Sequence, residues 1–184
     1  MKKEFDIREI WQPYEIHPET PLNGVLLSER FPNVNLEEFF YDLNARGKAF
    51  DARFGQITLL SNSGAALEAS EFAKDQGRFH ELHDALFRAY FTEARDIGDK
   101  EVLYAAASEV GLDITAMEDA LKAGRYRSHL ESATARGRKL GVSAVPAFVI
   151  NDVHVMTGAQ PLETFRRTLT RIATECEPDF PTIL

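Results

Sequence analysis

One reversal of character constrains this chain most. After a long stretch of helical signals it turns to two short apolar runs, Ala147–Asn151 and Val153–Gly158, meeting at Asn151-Asp152. Asn and Asp tolerate the positive φ of a tight turn, so the pair reads as a strand hairpin. Pro146 stands directly before the first run. A proline opening a buried strand costs a ladder hydrogen bond. One use for it is a cis peptide bond, which turns the backbone sharply and exposes its polar groups to a ligand. On pattern alone, a trans proline opening an edge strand fits as well.

The helical signals run from Asn35 to Gly141. Asn35 is placed to cap a first helix, with Glu37 and Glu38 where the helix dipole favours acids and Gly47 at its end. Asn62 or Ser63 opens the next block, read as two helices or one kinked helix. Ala66, Ala69 and Ala73 give it a narrow stripe for close packing, and Phe79, Leu82, Leu86 and Ala89 a wider one. Val102, Leu103, Ala106 and Val110 share a face on a further helix that Gly111 stops, with Leu112 placed for a C-terminal apolar contact. A short helix ends at Gly124. Tyr126, Leu130, Ala133, Gly137 and Leu140 recur by fours and threes up to Gly141.

The ends differ. Phe5 to Ile16 reads as an opening strand that Pro13 interrupts, and His17–Gly24 as a loop of turn formers. Pro161 marks the first position of a last helix, with Glu163 in its first turn and Phe165, Leu169 and Ile172 on its apolar face. Residues 177–184 read as a tail. The order is strand, helical block, hairpin, helix. That is too many helices for a minimal α/β unit, so the block reads as an inserted helical domain spanning 30–140. Segments 1–18 and 141–176 form the other part.

Twenty-nine acidic against 21 basic residues give a net charge of -8, which argues against nucleic acid as a partner. No apolar run approaches a membrane span. The N-terminus lacks the apolar core of a signal peptide, so the chain reads as cytoplasmic.

The stretches GVSAVPAFVIN and GAQPLETFRRTL resemble the C-terminal half of a DsbA-like protein of the thioredoxin fold. WQPYEIHPETP and SNSGAALEASEFAKDQGRFHELHDALFRAYFTEARDIGDKEVL extend the likeness. Together they resemble the cytosolic FrnE-type branch of dithiol-disulfide isomerases, from about Phe5 to Ile172. The resemblance implies an α/β fold: a DsbA-type, thioredoxin-like sheet with an inserted helical domain. It implies a cis Val145-Pro146 bond, with Ala144, Val145 and Pro146 as a substrate-facing loop. It also places Asn62 near the cleft, where its side chain could touch substrate as well as cap a helix.

The same family begins with a strand and a CxxC at a helix start, and neither is found here. The chain has one cysteine, Cys176, so it forms no internal disulfide. Exchange needs a thiolate of lowered pKa and a second, resolving thiol. Cys176, flanked by Glu175 and Glu177 near a helix C-terminus, is read as incidental. No catalytic residue and no cofactor is therefore expected. Without the family's first strand, Ile7–Trp11 and Phe148–Ile150 would lack their common neighbour. Three outcomes are open: a truncated N-terminus, a homodimer completing the edge, or strands that close the gap. We expect truncation in the gene's history and dimerisation of this polypeptide.

Three functions compete. The first is a thiol–disulfide oxidoreductase or isomerase acting on protein or peptide thiols and disulfides, inactive as written. The second is a glutathione-dependent isomerase of the 2-hydroxychromene-2-carboxylate type, which resembles the same fold. The third is a non-catalytic, chaperone-like binding module. Other constellations are weak. His80 and His83 lie three apart, not in the metalloprotease spacing, so no metal site is expected. Trp11 and Tyr14 read as core and rim packing, and His17 as a lone loop histidine.

Overall fold

The computed structural model describes residues 1–175. Cys176 and the tail lie outside the described residues. The chain divides into two compact units, Pro13–Arg136 and a second made of Met1–Gln12 with the chain from Gly137 onward.

The helical unit opens with β1 (Val25–Leu26), α1 (Leu27–Arg30), α2 (Leu36–Gly47) and β2 (Leu59–Leu60). Then come α3 (Gly64–Asp75), α4 (Phe79–Phe87), α5 (Lys100–Glu109), α6 (Ile114–Lys122) and the start of α7 (Arg127–Lys139). A 3-10 turn, Lys48–Phe50, extends α2, and a π turn, Arg88–Thr92, extends α4. β1 and β2 form an antiparallel pair, Val25 opposite Leu60.

The helix ends follow from side-chain chemistry. The Asn35 side chain accepts from the Glu38 N–H at 3.3 Å, as its position before α2 demands. Asp99 and Asp113 do the same for α5 and α6, accepting from Glu101 and Ala116. α5 closes on Gly111 at φ +77, where a side chain would be strained. The Gly111 and Leu112 N–H groups return to the Ser108 and Ala107 carbonyls, and buried Leu112 supplies the apolar contact. Gly47 behaves differently: its φ is -65, and the left-handed residue is Asp51, after the 3-10 turn.

The core of this unit forms where α3 presents Ala66, Ala69 and Ala73. These small side chains let α4 and α6 come close, so that Leu82 and Met117 are fully buried. Phe72 and Tyr126 close the cluster edge to face, and the Tyr126 hydroxyl donates to Asp75 at 2.7 Å. Two carboxylates, Glu68 and Glu71, are also buried on α3. Arg127 donates to Glu68 at 3.3 Å, and Lys74 and His129 approach Glu71 at 3.1 and 3.4 Å.

The second unit carries β3 (Ala147–Ile150), β4 (His154–Thr157) and α8 (Leu162–Glu175). β3 and β4 pair antiparallel, Phe148 opposite Met156 and Ile150 opposite His154. Asn151 and Asp152 both take positive φ, 51° and 61°, as the hairpin reading requires. Val153 joins them in the turn, so β4 starts one residue later than its apolar run. The Phe148 ring meets Phe165 of α8 edge to face at 4.7 Å. The Pro161 carbonyl accepts from Phe165, so Pro161 precedes α8 rather than beginning it.

The opening strand is absent. Phe5 to Ile16 forms no ladder, and Ile10 and Trp11 are 63% and 45% exposed. Alternating apolar residues make a strand only beside a neighbour that takes their backbone groups, and in the described sheets β3 pairs with β4 alone. Trp11 thus lies on a rim rather than in a core. Instead, charge ties this segment down: Arg166 of α8 donates to Glu4 at 2.8 Å, and Lys2 meets Glu9 at 2.8 Å.

Candidate functional site

α7 ends at Lys139; Gly141 follows at φ +79, and the Val142 N–H returns to the Gly137 carbonyl at 2.9 Å. Buried Val142 anchors the chain there. Ser143, Ala144, Val145 and Pro146 then run exposed before β3 begins. The Val145-Pro146 peptide bond is cis. The Pro146 carbonyl accepts from the Gly158 N–H at 2.7 Å, which closes the loop onto the far end of β4. Among the described residues, the N–H and C=O groups of Ala144 and Val145 make no hydrogen bond. Two consecutive exposed residues with idle backbone donors and acceptors are what an extended chain needs for pairing.

Asn62 lies in the other unit, at the start of α3. Its Oδ1 accepts from the Gly64 N–H at 3.1 Å, and its Nδ2 donates to the Thr20 carbonyl at 2.6 Å. Ser63 holds the N-cap position without a side-chain cap bond; the Asn62 side chain, one residue earlier, takes the first helical N–H instead and binds the Thr20 loop to the start of α3. Ala144, Val145 and Pro146 are contiguous in one unit; Asn62 belongs to the scaffold of the other.

The remaining candidates do not assemble into a site. The Nδ1 of His17 lies 3.3 Å from both Glu19 and Arg30. His83 is half-buried between Phe79 and Phe87, with ring centroids at 5.6 and 4.1 Å, and burial pushes its pKa down. His80 is exposed. Among the described residues no three His, Cys, Asp or Glu side chains are placed to hold a metal. No described helix is long and apolar enough to cross a membrane.

The sequence reading missed Thr134. It is buried on α7, and its hydroxyl accepts from the Glu15 N–H at 3.1 Å. It missed the buried carboxylates Glu68 and Glu71 too, because an acid three positions from another on a helix normally marks a solvated face.

A helical unit, a β3–β4 hairpin entered through a proline loop and a closing α8 define a protein of the thioredoxin class with a large helical part. The chain matches the model of the DSBA-like thioredoxin domain over residues 2–170 and belongs to that family. It is similar to the uncharacterized protein YwbO of Bacillus subtilis, 26% identical over 172 residues, covering 90% of this chain and 82% of that one. Among solved structures it resembles a probable DsbA oxidoreductase of Streptomyces coelicolor. The TM-score is 0.81 at 23% identity, over 91% of this chain and 76% of the other. That likeness shows the fold. Family membership supports a thiol–disulfide oxidoreductase-type function in the broad sense.

Proposed function

We propose that this chain supplies the substrate-holding surface of a thiol–disulfide oxidoreductase of the FrnE-type branch, acting on protein or peptide thiols and disulfides. The observation that carries this is the exposed Ala144–Val145 backbone with its hydrogen-bonding groups idle. An extended substrate pairs there through its main chain, with the Val145 side chain (49% exposed) beside it. The 184 residues contain one thiol, which cannot form a mixed disulfide and then resolve it internally. The chain therefore holds substrate without turning it over. In this reading it works in the cytoplasm as a homodimer, without a bound cofactor.

A fluorescently labelled, extended peptide of about eight residues with a central S-methylated cysteine tests this. Binding should survive Cys176→Ser and fall sharply with Val145→Asp, while the chain reduces no model disulfide. Binding that needs Cys176 and is indifferent to Val145→Asp would overturn the reading. Saturable binding of glutathione, competing with no peptide, would favour the isomerase alternative instead.

A further inference from the structure

The helical unit has a second concave surface that the proposed function leaves unused. Between the start of α3, α5 and α6 lies a half-open pocket of about 250 Å³. Its walls are Ala65, Leu103, Tyr104 and Leu121, with Gly98 at the edge. Apolar side chains dominate them. Three charged groups stand at its lining: Lys100, Glu118 and Lys122.

These charges do not balance. Lys100 and Lys122 both donate to the same oxygen of Glu118, Lys122 at 3.1 Å. Lys100 also sits over the Tyr104 ring, 5.1 Å from its centroid. Two ammonium groups share one carboxylate, and each keeps N–H donors that Glu118 does not use, since an ammonium carries three. Two lysines against one carboxylate leave the cluster with one net positive charge, immediately beside an apolar wall.

We propose that this pocket binds a small monocarboxylate with a compact apolar tail. The tail lies against Ala65, Leu103 and Leu121, and the carboxylate bridges Lys100 and Lys122. The volume falls below the roughly 300–1,000 Å³ of pockets for drug-sized ligands, which sets the tail to a short aliphatic chain or one ring. An amine of the same shape would meet two like charges. A neutral alcohol would fill the wall without completing the ion cluster. Both lysines are exposed, which makes the carboxylate contact weak and salt-sensitive.

The test uses the full chain, 3-phenylpropanoate as probe, and 3-phenylpropanol and 3-phenylpropylamine as controls. The readout is methyl shift changes at Ala65, Leu103 and Leu121. The acid should bind about tenfold tighter than the alcohol, because only the acid accepts charge-assisted hydrogen bonds from the two lysines, and the amine weakest. The double variant Lys100→Gln/Lys122→Gln should bring acid and alcohol within about twofold. Ala65→Leu, which fills the pocket without touching its charges, should remove the binding of both. Equal affinities for acid and alcohol, or shifts confined to residues outside the pocket, would overturn the proposal. So would acid binding unchanged in the lysine double variant.

Discussion

Asn62 donates to the Thr20 carbonyl at 2.6 Å and in the same posture accepts from the Gly64 N–H. One amide thereby fixes the loop before β1 to the start of α3. Thr20 is buried, so its carbonyl has no ready access to water once the donor is lost. Asn62→Ala should destabilise the chain by about 1–3 kcal/mol, the cost of a lost cap with an orphaned acceptor. Asn62→Asp keeps the oxygen on the Gly64 N–H but turns a carboxylate oxygen toward the Thr20 carbonyl, acceptor against acceptor, so it should destabilise at least as much as Asn62→Ala. Urea unfolding of the three proteins checks the order.

The buried carboxylate of Glu68 has Arg127 on one oxygen, while the other, Oε2, makes no hydrogen bond. Removing a half-satisfied buried charge costs little, whereas removing its partner strands it. Glu68→Leu should leave stability within about 1 kcal/mol of the parent, or raise it. Arg127→Met should lose more than Glu68→Leu does. Thermal melts in low salt measure both, and the reverse ranking contradicts the account.

Glu118 carries the clearest acid dependence. The Lys100 hydrogen bond, followed by those of Lys122 and Tyr104, holds its pKa down to about 2 from 4.5. A depressed carboxyl contributes stability above its unfolded value and loses it as pH falls toward the folded one. The parent should therefore weaken between about pH 4.5 and about 2 by more than Glu118→Gln does. Added salt should shrink the difference, because the group is near the surface. Melting temperatures across that window test the sign.

Core and surface should separate cleanly in the helical unit. Leu82 is fully buried among α3, α4 and their neighbours, and Leu82→Ala should cost about 2–5 kcal/mol. Phe39 on α2 is 51% exposed, and Phe39→Ala should stay within about 0.5 kcal/mol. Equilibrium unfolding of the pair distinguishes them.

The helices were legible because their signals are local. Asn35 before an acidic first turn, the Ala66–Ala69–Ala73 stripe and Gly111 followed by Leu112 each state their role within a few residues. Asn151-Asp152 announced the hairpin by the same logic. What failed was non-local. Phe5–Ile16 alternates like a strand, but a strand depends on its neighbour. β1 and β2 are two residues each and too short for any periodicity. The proline before an apolar run marked Pro146 but left cis and trans open; the cis Val145-Pro146 bond was expected from the family resemblance, and it is cis. The double hydrogen bonding of Asn62 was not, since Thr20 is 42 residues away.

The account's central claim is that the Ala144–Val145 backbone receives an extended substrate strand. The most direct measurement is amide shift mapping and hydrogen exchange of the full chain with the S-methylated peptide. The account predicts large shifts at the Ala144 and Val145 amides and slowed exchange at Val145 when peptide is bound. Peptide binding that leaves both amides unshifted and exchanging at the free rate would contradict it.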